Sequence, residues 1–415
     1  MSDAESALPA RRLPIGLRAF AHRDFRLFWT GQQVSLIGTW MQSVAQSWLV
    51  LELTNSPFKL GVVSSLQFAP MLFLSFFAGA LADRLPKRKL LFASQTVLLC
   101  QSLLLAVLVW HGHVQYWHVT VMALIYGIAN TVDMPARQSF IVEMVGKEDL
   151  LSAITINSAM FNAARVIGPA LAGLLIAHFG IAHAFFFNAL SFVPVLGALL
   201  AMDAQGLPHP RPARPMREEI REGLAYAART PRIALVLALV LGVSAFLFNY
   251  NVVVPVLARE VLHVEARGFG ILMTMLGVGA VLGAAVLGIL GRGRPPLWAL
   301  VTPAVLLGVA TMLLATVHAF WVAGALMLVM GLCGILFMAG ANTTLQLTVP
   351  DHLRGRIMSL HTFVFAGVTP FGAFLVGSIT EALGVRAGLL MAGAAGILSV
   401  LIVLAWRAGG ARPHA

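Results

Sequence analysis

Twelve apolar blocks, each about as long as a bilayer core is thick, constrain this chain more than any other feature. They lie near 26–51, 60–82, 90–110, 118–136, 152–177, 183–202, 233–257, 269–291, 297–317, 320–341, 357–380 and 387–406. A helix of about 20 apolar residues spans the hydrocarbon core. The blocks are continuous rather than alternating and too long for barrel strands. They predict an all-α membrane protein with twelve transmembrane helices. Composition agrees: 59% hydrophobic and 11% charged residues leave too little polar surface for a soluble fold. Cys100 and Cys333 sit inside apolar blocks and form no disulfide framework. Residues 1–24 hold no apolar core of a leader peptide, so the spans themselves are expected to direct insertion.

The charges set the orientation. With the N-terminus in the cytoplasm, that side receives five Lys and Arg up to Arg26, four after span 2, two after span 4 and six after span 6. Two more follow each of spans 8, 10 and 12. The other side receives only Lys59, Arg259, Arg267 and Arg386. That asymmetry fits the positive-inside rule with both termini cytoplasmic. Topology therefore accounts for the net charge of +11. Nucleic-acid binding would need a soluble basic domain, and none is present.

Residues 203–231 form the one long polar linker, rich in Pro (Pro208, Pro210, Pro212, Pro215) and ending in the amphipathic piece REEIREGLAYAA. It separates a six-helix bundle at 26–202 from another at 232–407, with short cytoplasmic segments at 1–25 and 408–415. The halves are related. GPALAGLLIAHFG at 168–180 aligns with GAFLVGSITEALG at 372–384, a shift of 204, which also places Val145 on Val349 and Phe161 on Phe365. Nearer the start of each half the shift is 209 and places Gly61 on Gly270, Gly79 on Gly288 and Leu81 on Leu290. Two pseudo-symmetric bundles related by an axis along the membrane normal suggest a transporter that rocks about a central site.

The stretch GALADRLPKRK at 79–89 places one acid just ahead of four bases. It resembles the loop motif G-x-L-x-D-R-x-G-R-K/R of the major facilitator superfamily. Gly79, Leu81, Asp83, Arg84, Lys87 and Arg88 match, and Pro86 replaces the second Gly. RVIGPALAG at 165–173, with Gly168, Pro169 and Gly173, resembles the Gly-Pro motif of span 5 in proton-coupled antiporters; Ala172 replaces one of its paired glycines. With DMPARQSF, FFFNALSF and PDHLRGRIMSL, these segments are most similar to the bacterial transmembrane secretion effector branch, which includes siderophore exporters and macrolide-efflux-like proteins. The resemblance covers nearly the whole chain and implies the major facilitator fold. It also implies that the loop motif holds the two halves together on the cytoplasmic side when the cavity faces outward. Asp83 would then dock on the start of span 11, near Arg354 and Arg356, where helix amides carry partial positive charge. The internal repeat places Arg292 at the position matching Asp83, so only one copy keeps the acid.

Span 1 carries Gln32, Ser35, Thr39, Gln42 and Gln46 at spacings that place all five on one helical face. Lipid cannot satisfy them, so they face protein or water. They either line a cavity, which the resemblance places beside span 1, or bond neighbouring helices together. Asn249 and Asn251 are their counterparts on span 7. Arg165 reads as the one basic residue well inside a span, where a charge costs at least about 2.5–3.5 kcal/mol unless paired or hydrated. Asp133, near the cytoplasmic end of span 4, is the one embedded acid. Adjacent spans 4 and 5 bring the two within reach of each other, either as a pair whose protonation is coupled to transport or as a static bridge. Glu52 and Glu381, at the outer edge, and His361, in span 11, are further titratable candidates. Glycines in span 8, among them Gly279 and Gly283, allow close helix contact.

No nucleotide-binding loop, zinc-protease motif or nucleophile elbow is present. The chain is not expected to be an enzyme, and no cofactor or metal is implied. An ion gradient, with protons as the coupling ion, is the expected energy source. The leading reading is a monomeric secondary transporter that exports an amphipathic small molecule of the drug or siderophore class by alternating access. A lysophospholipid or metabolite transporter is the alternative within transport. A membrane sensor or an intramembrane enzyme would need an output domain or a nucleophile that the sequence does not offer.

Overall fold

A computed structural model describes residues 14–206, 216–290 and 295–410. Pro208, Pro210, Pro212, Pro215 and Arg292 lie outside the described residues, as do parts of both terminal segments. Among the described residues every regular element is a helix. A 3-10 turn at Ile15–Ala21 precedes α1 (Arg23–Thr54), α2 (Pro57–Arg84), α3 (Lys87–Trp110), α4 (Tyr116–Val145), α5 (Leu150–Phe179) and α6 (Ile181–Ala201). The linker forms α7 (Met216–Arg229). Then follow α8 (Pro231–Leu247), α9 (Tyr250–Glu260), α10 (Ala266–Leu290), α11 (Trp298–Leu314), α12 (Phe320–Thr348), α13 (Asp351–Leu383) and α14 (Val385–Gly410).

Ten helical segments are long and apolar enough to cross a membrane, with α8 and α9 taken together as Pro231–Glu260. The other two apolar blocks are helical as well. α1 is 32 residues long but more polar, and α11 has only 17 residues. Two differences from the sequence expectation bear on the site. Span 4 does not stop near residue 136: α4 runs through Pro135 to Val145. Pro135 lacks an N–H and costs the helix one bond, a loss that neighbouring helices can make good inside a membrane protein. Span 7 is broken at Phe248 and Asn249 into α8 and α9.

The chain folds as two compact units. The first holds the described residues within Met1–Leu49 and Phe73–Arg211, the second those within Val50–Leu72 and Pro212–Ala415. α1 and α2 thus each contribute to both. In the first unit, Phe25 and Phe28 of α1 share a core with Leu91, Phe140, Ile156 and Leu199. The Phe28 and Phe140 rings meet edge to face at 6.2 Å. In the second unit α10 lies against α12 with Gly279 directly over the Leu328 backbone, the close packing that small residues permit between membrane helices.

The repeat at a shift of 204 recurs as local geometry. α5 ends on Gly180 (φ 87°, ψ 166°) and α13 on Gly384 (φ 84°, ψ 162°). This backbone conformation suits glycine, and it closes both helices in the same way. Gly168 of α5 abuts the Ile37 carbonyl of α1, and Gly372 of α13 abuts the Ala245 carbonyl of α8. Each unit thus repeats one contact: its Gly-bearing long helix lies on the backbone of its first span.

Candidate functional site

The polar stripe of α1 is inside the protein. Gln32, Ser35, Gln42 and Gln46 are buried, and Thr39 is half-buried with its hydroxyl donating to the Ser35 carbonyl at 3.0 Å. Gln42 ties three helices together. Its Oε1 accepts from Ser102 Oγ of α3 at 2.7 Å and from Asn188 Nδ2 of α6 at 2.5 Å. Ser191 Oγ donates to Asn188 Oδ1 at 3.1 Å and extends the network. One turn further along, Gln46 is 2% exposed and neither atom of its amide has a partner. The stripe therefore divides: Gln42 bonds helices together, whereas Gln46 offers a buried amide whose bonding capacity is unused. An amide left so costs about 1–3 kcal/mol.

Arg165 and Asp133 have separate surroundings. Arg165 of α5 stands over the Trp40 ring of α1, with its guanidinium carbon 5.7 Å from the ring centroid. The span 5 motif makes this possible. Gly168, one turn on, lies against the α1 backbone, and a methyl group there would come within 2.7 Å of the Ile37 carbonyl. Pro169 and Gly173 are buried in the same stretch. Phe161 closes the other side of Trp40, edge to face at 5.6 Å.

Asp133 is 1% exposed and its carboxylate is held by three donors. Ser94 Oγ and Gln95 Nε2 of α3 reach Oδ1 at 2.9 and 2.7 Å, and Arg137, one turn along α4, pairs with Oδ2. Because α4 continues to Val145, Arg137 is a second basic residue inside a long helix rather than part of a cytoplasmic loop. The i,i+4 spacing of Asp133 and Arg137 was visible in DMPARQSF. What hid the pair was the assumption that Pro135 ends the helix.

The loop motif is likewise more enclosed than a solvated basic turn. Gly79 has open space where a side chain would stand, and Asp83 and Arg84 are exposed at the end of α2. Pro86 is the N-cap of α3 with ordinary proline geometry (φ −57°), so no glycine is needed there. Lys87 is buried at 1% exposure, and its Nζ pairs with Glu143 of α4 at 2.6 Å. Its backbone N–H donates to Gly206 O at 2.8 Å, and Arg88 donates to the Leu200 carbonyl at 2.8 Å. These two bases hold the exit of α6 and the first residues of the linker. In the second unit, Arg354 is exposed and Arg356 pairs with Glu222 of α7 at 2.6 Å.

The break in span 7 falls on the asparagines. Asn249, 6% exposed, donates from Nδ2 to the Ala245 carbonyl at 2.9 Å and so competes for a helical acceptor. Pro255 leaves the Asn251 carbonyl without its helical donor. Phe248 and Tyr250 meet edge to face at 5.9 Å, and Phe365 of α13 packs on Phe248 at 6.1 Å. His361, one turn before Phe365, is buried with Nε2 unpaired. Irregular backbone at membrane depth occurs where it is buried in protein or lines a water-filled cavity.

Residues 16–410 match the model of the transmembrane secretion effector family. The chain is 25% identical over 377 residues to the staphyloferrin A transporter of Staphylococcus aureus, covering 87% of this chain and 90% of that one. It is 26% identical over 370 residues to the multidrug efflux pump Tap of Mycolicibacterium fortuitum, covering 85% and 88%. With macrolide efflux protein A of Streptococcus pyogenes it shares 22% identity over 384 residues, covering 89% and 92%. Among solved structures, a bacterial homologue of the human lysosomal transporter Spinster superposes with a TM-score of 0.73 at 12% identity, covering 92% of this chain and 95% of that one. The nucleoside transporter NupG superposes with a TM-score of 0.72 at 12% identity, covering 92% and 98%. These likenesses carry the fold, and the family match covers almost the whole sequence. The chain belongs to the transmembrane secretion effector family of major facilitator superfamily transporters, a multi-pass membrane protein and not an enzyme.

Proposed function

We propose that this protein is a proton-coupled exporter of an amphipathic small molecule of the drug or siderophore class. It acts as a monomer with twelve spans in two bundles, sits in a bacterial plasma membrane with both termini cytoplasmic, and works by alternating access. Three relatives that match over most of their length, two of them named as efflux proteins, support export. The observation that carries proton coupling is the buried carboxylate of Asp133, held by Ser94, Gln95 and Arg137. A proton on Asp133 removes the charge that neutralises Arg137 and leaves a guanidinium in an apolar helix, an arrangement that must change partners or admit water. Arg165, half-buried over Trp40, offers an aromatic and cationic surface to an anionic or planar solute. Gln32, Ser35, Thr39, Gln46, Asn249 and Asn251 supply neutral hydrogen-bonding groups for the substrate. Asp83 caps the start of α13 on the cytoplasmic side in the outward-facing state.

Cells making the protein should accumulate less ethidium or erythromycin than control cells, and a protonophore should abolish the difference. Asp133→Asn should reach the membrane and lose that export. Export that is indifferent both to the protonophore and to Asp133→Asn would remove proton coupling through this carboxylate.

A further inference from the structure

The corner between α1 and α2 is fastened by two charged side chains, each of the sign its helix end attracts. The last turn of α1 leaves carbonyls without helical partners and carries partial negative charge. Arg259, at the end of α9, donates from Nη1 to the Leu51 carbonyl at 2.9 Å, as a second donor beside the Asn55 N–H at 2.8 Å. The first turn of α2 leaves N–H groups without partners and carries partial positive charge. Glu381, at the end of α13, accepts from the Phe58 N–H at 3.2 Å and from Ser56 Oγ at 2.8 Å. Ser56, 8% exposed, in turn accepts from the Lys59 N–H at 3.2 Å. A cation thus caps the helix that ends at the corner, and an anion caps the one that begins there.

Behind the caps α2 and α13 run close together. Ser65 Oγ donates to the Pro370 carbonyl at 2.6 Å, and the Phe58 and Phe374 rings meet at 5.4 Å. A methyl group on Gly61 would come within 2.5 Å of the Ala373 carbonyl, and one on Gly377 within 2.8 Å of the Pro57 carbonyl. The contact therefore relies on small residues and a few polar bonds rather than on interlocked large side chains. Residues 50–72 join the second compact unit here, while the same two helices continue into the first at Leu49 and Phe73.

We infer that Arg259 and Glu381 form a releasable latch: two charge-matched helix caps that hold the α1–α2 corner on α9 and α13, and that both open when this end of the transporter opens. The inference rests on the alternating-access reading above, which puts this corner on the outer side. The geometry favours release. Each cap bonds backbone or a hydroxyl rather than an opposite charge, and Arg259 and Glu381 are exposed residues, so opening breaks these bonds without separating an ion pair or moving a buried charge. Glu52 shares the corner and is exposed, as Arg259 and Glu381 are, and Glu260 lies within electrostatic reach of Arg259 and Glu381.

The test is a distance distribution between spin labels at Leu53 and Leu383 in the full-length protein, with Cys100 and Cys333 replaced. Glu381→Gln and Arg259→Gln should each raise the open population about two- to thirtyfold, the range of a charge–dipole contact. Glu52→Gln, which changes the same net charge, should leave the distribution alone. If Glu381→Gln does not reach the membrane, Ser56→Ala reads the same cap with the carboxylate kept, and should also widen the distribution. Unchanged distances in Glu381→Gln or Ser56→Ala, or an equal shift in Glu52→Gln, would overturn the latch. Ethidium efflux by the labelled parent is scored separately. Absent efflux with a shifted distribution removes the export reading and keeps the latch; intact efflux with unchanged distances does the reverse.

Discussion

At the scale of single residues, charge inside an apolar helix is informative only with its partner. Asp133 was legible in the sequence as an embedded acid and Arg165 as an embedded base, because the residues immediately beside each are apolar or neutral. Their partners were not. Trp40 lies on another helix far along the chain, and hydropathy does not show which face of α1 meets α5. Arg137 is close in sequence but reads as a loop residue once Pro135 is taken as a helix end. The observed pairing sets a stability prediction. Arg137→Gln leaves the Asp133 carboxylate with two neutral donors in a buried site and should cost about 3–5 kcal/mol. Asp133→Asn combined with Arg137→Gln should recover much of that loss, as read by thermal unfolding in detergent. If the double variant is as unstable as the single one, the two side chains do not act as a pair. Arg165 yields a separate expectation. Arg165→Ala should strongly reduce efflux, and Arg165→Lys should restore it only in part, because a point charge does not replace a planar guanidinium over a ring. Trp40→Leu should weaken transport in the same assay, and normal efflux in Trp40→Leu would place the role of Arg165 elsewhere.

At the scale of elements, apolar block length located the helices, and its two main failures have opposite causes. Hydropathy is blind to a side chain that takes a backbone acceptor. Asn249 does so at Ala245, and a block that reads as one helix becomes two. Pro135 gives the opposite case. A residue that usually ends a helix in water is carried through because the surrounding helices supply the missing support. The stripe on α1 was legible as a face, since spacing alone fixes it. Its division into a bonded Gln42 and an unpaired Gln46 was not, because Ser102 and Asn188 come from distant parts of the chain. Asn249→Leu should let α8 and α9 approach one continuous helix. If the break serves transport, this variant reaches the membrane, becomes at least as stable to heat as the parent, and loses most of its efflux. Unimpaired efflux with raised stability would make the break a packing feature only.

At the scale of the whole molecule, two acids stand at opposite ends of the helices they are expected to control. Asp83 closes α2 at the end given to the cytoplasm, and the proposal has it cap the start of α13 when the cavity faces outward. Glu381 closes α13 at the other end and caps the start of α2. Such a reciprocal arrangement needs an acid near the end of each helix, and α2 and α13 each have one, Asp83 and Glu381. The sequence showed the first acid through its motif. It showed the second only as an edge carboxylate, since nothing in the string says which helix it meets. If each cap favours the conformation in which it is made, neutralising them has opposite effects. Asp83→Asn should move the population toward inward-facing and Glu381→Gln toward outward-facing, each by about 0.3–2 kcal/mol, enough to shift a two-state balance several-fold. Because the two sites share no partner, their effects should add, so the double variant should return close to the parent balance. It should nevertheless exchange faster between the two states, since both are less stabilised relative to the path between them. Spin-label distances at each end, read in the two single variants and the double, decide the matter. Shifts of the same sign in both single variants, or a double variant that follows one of them alone, would mean that the two acids do not oppose each other.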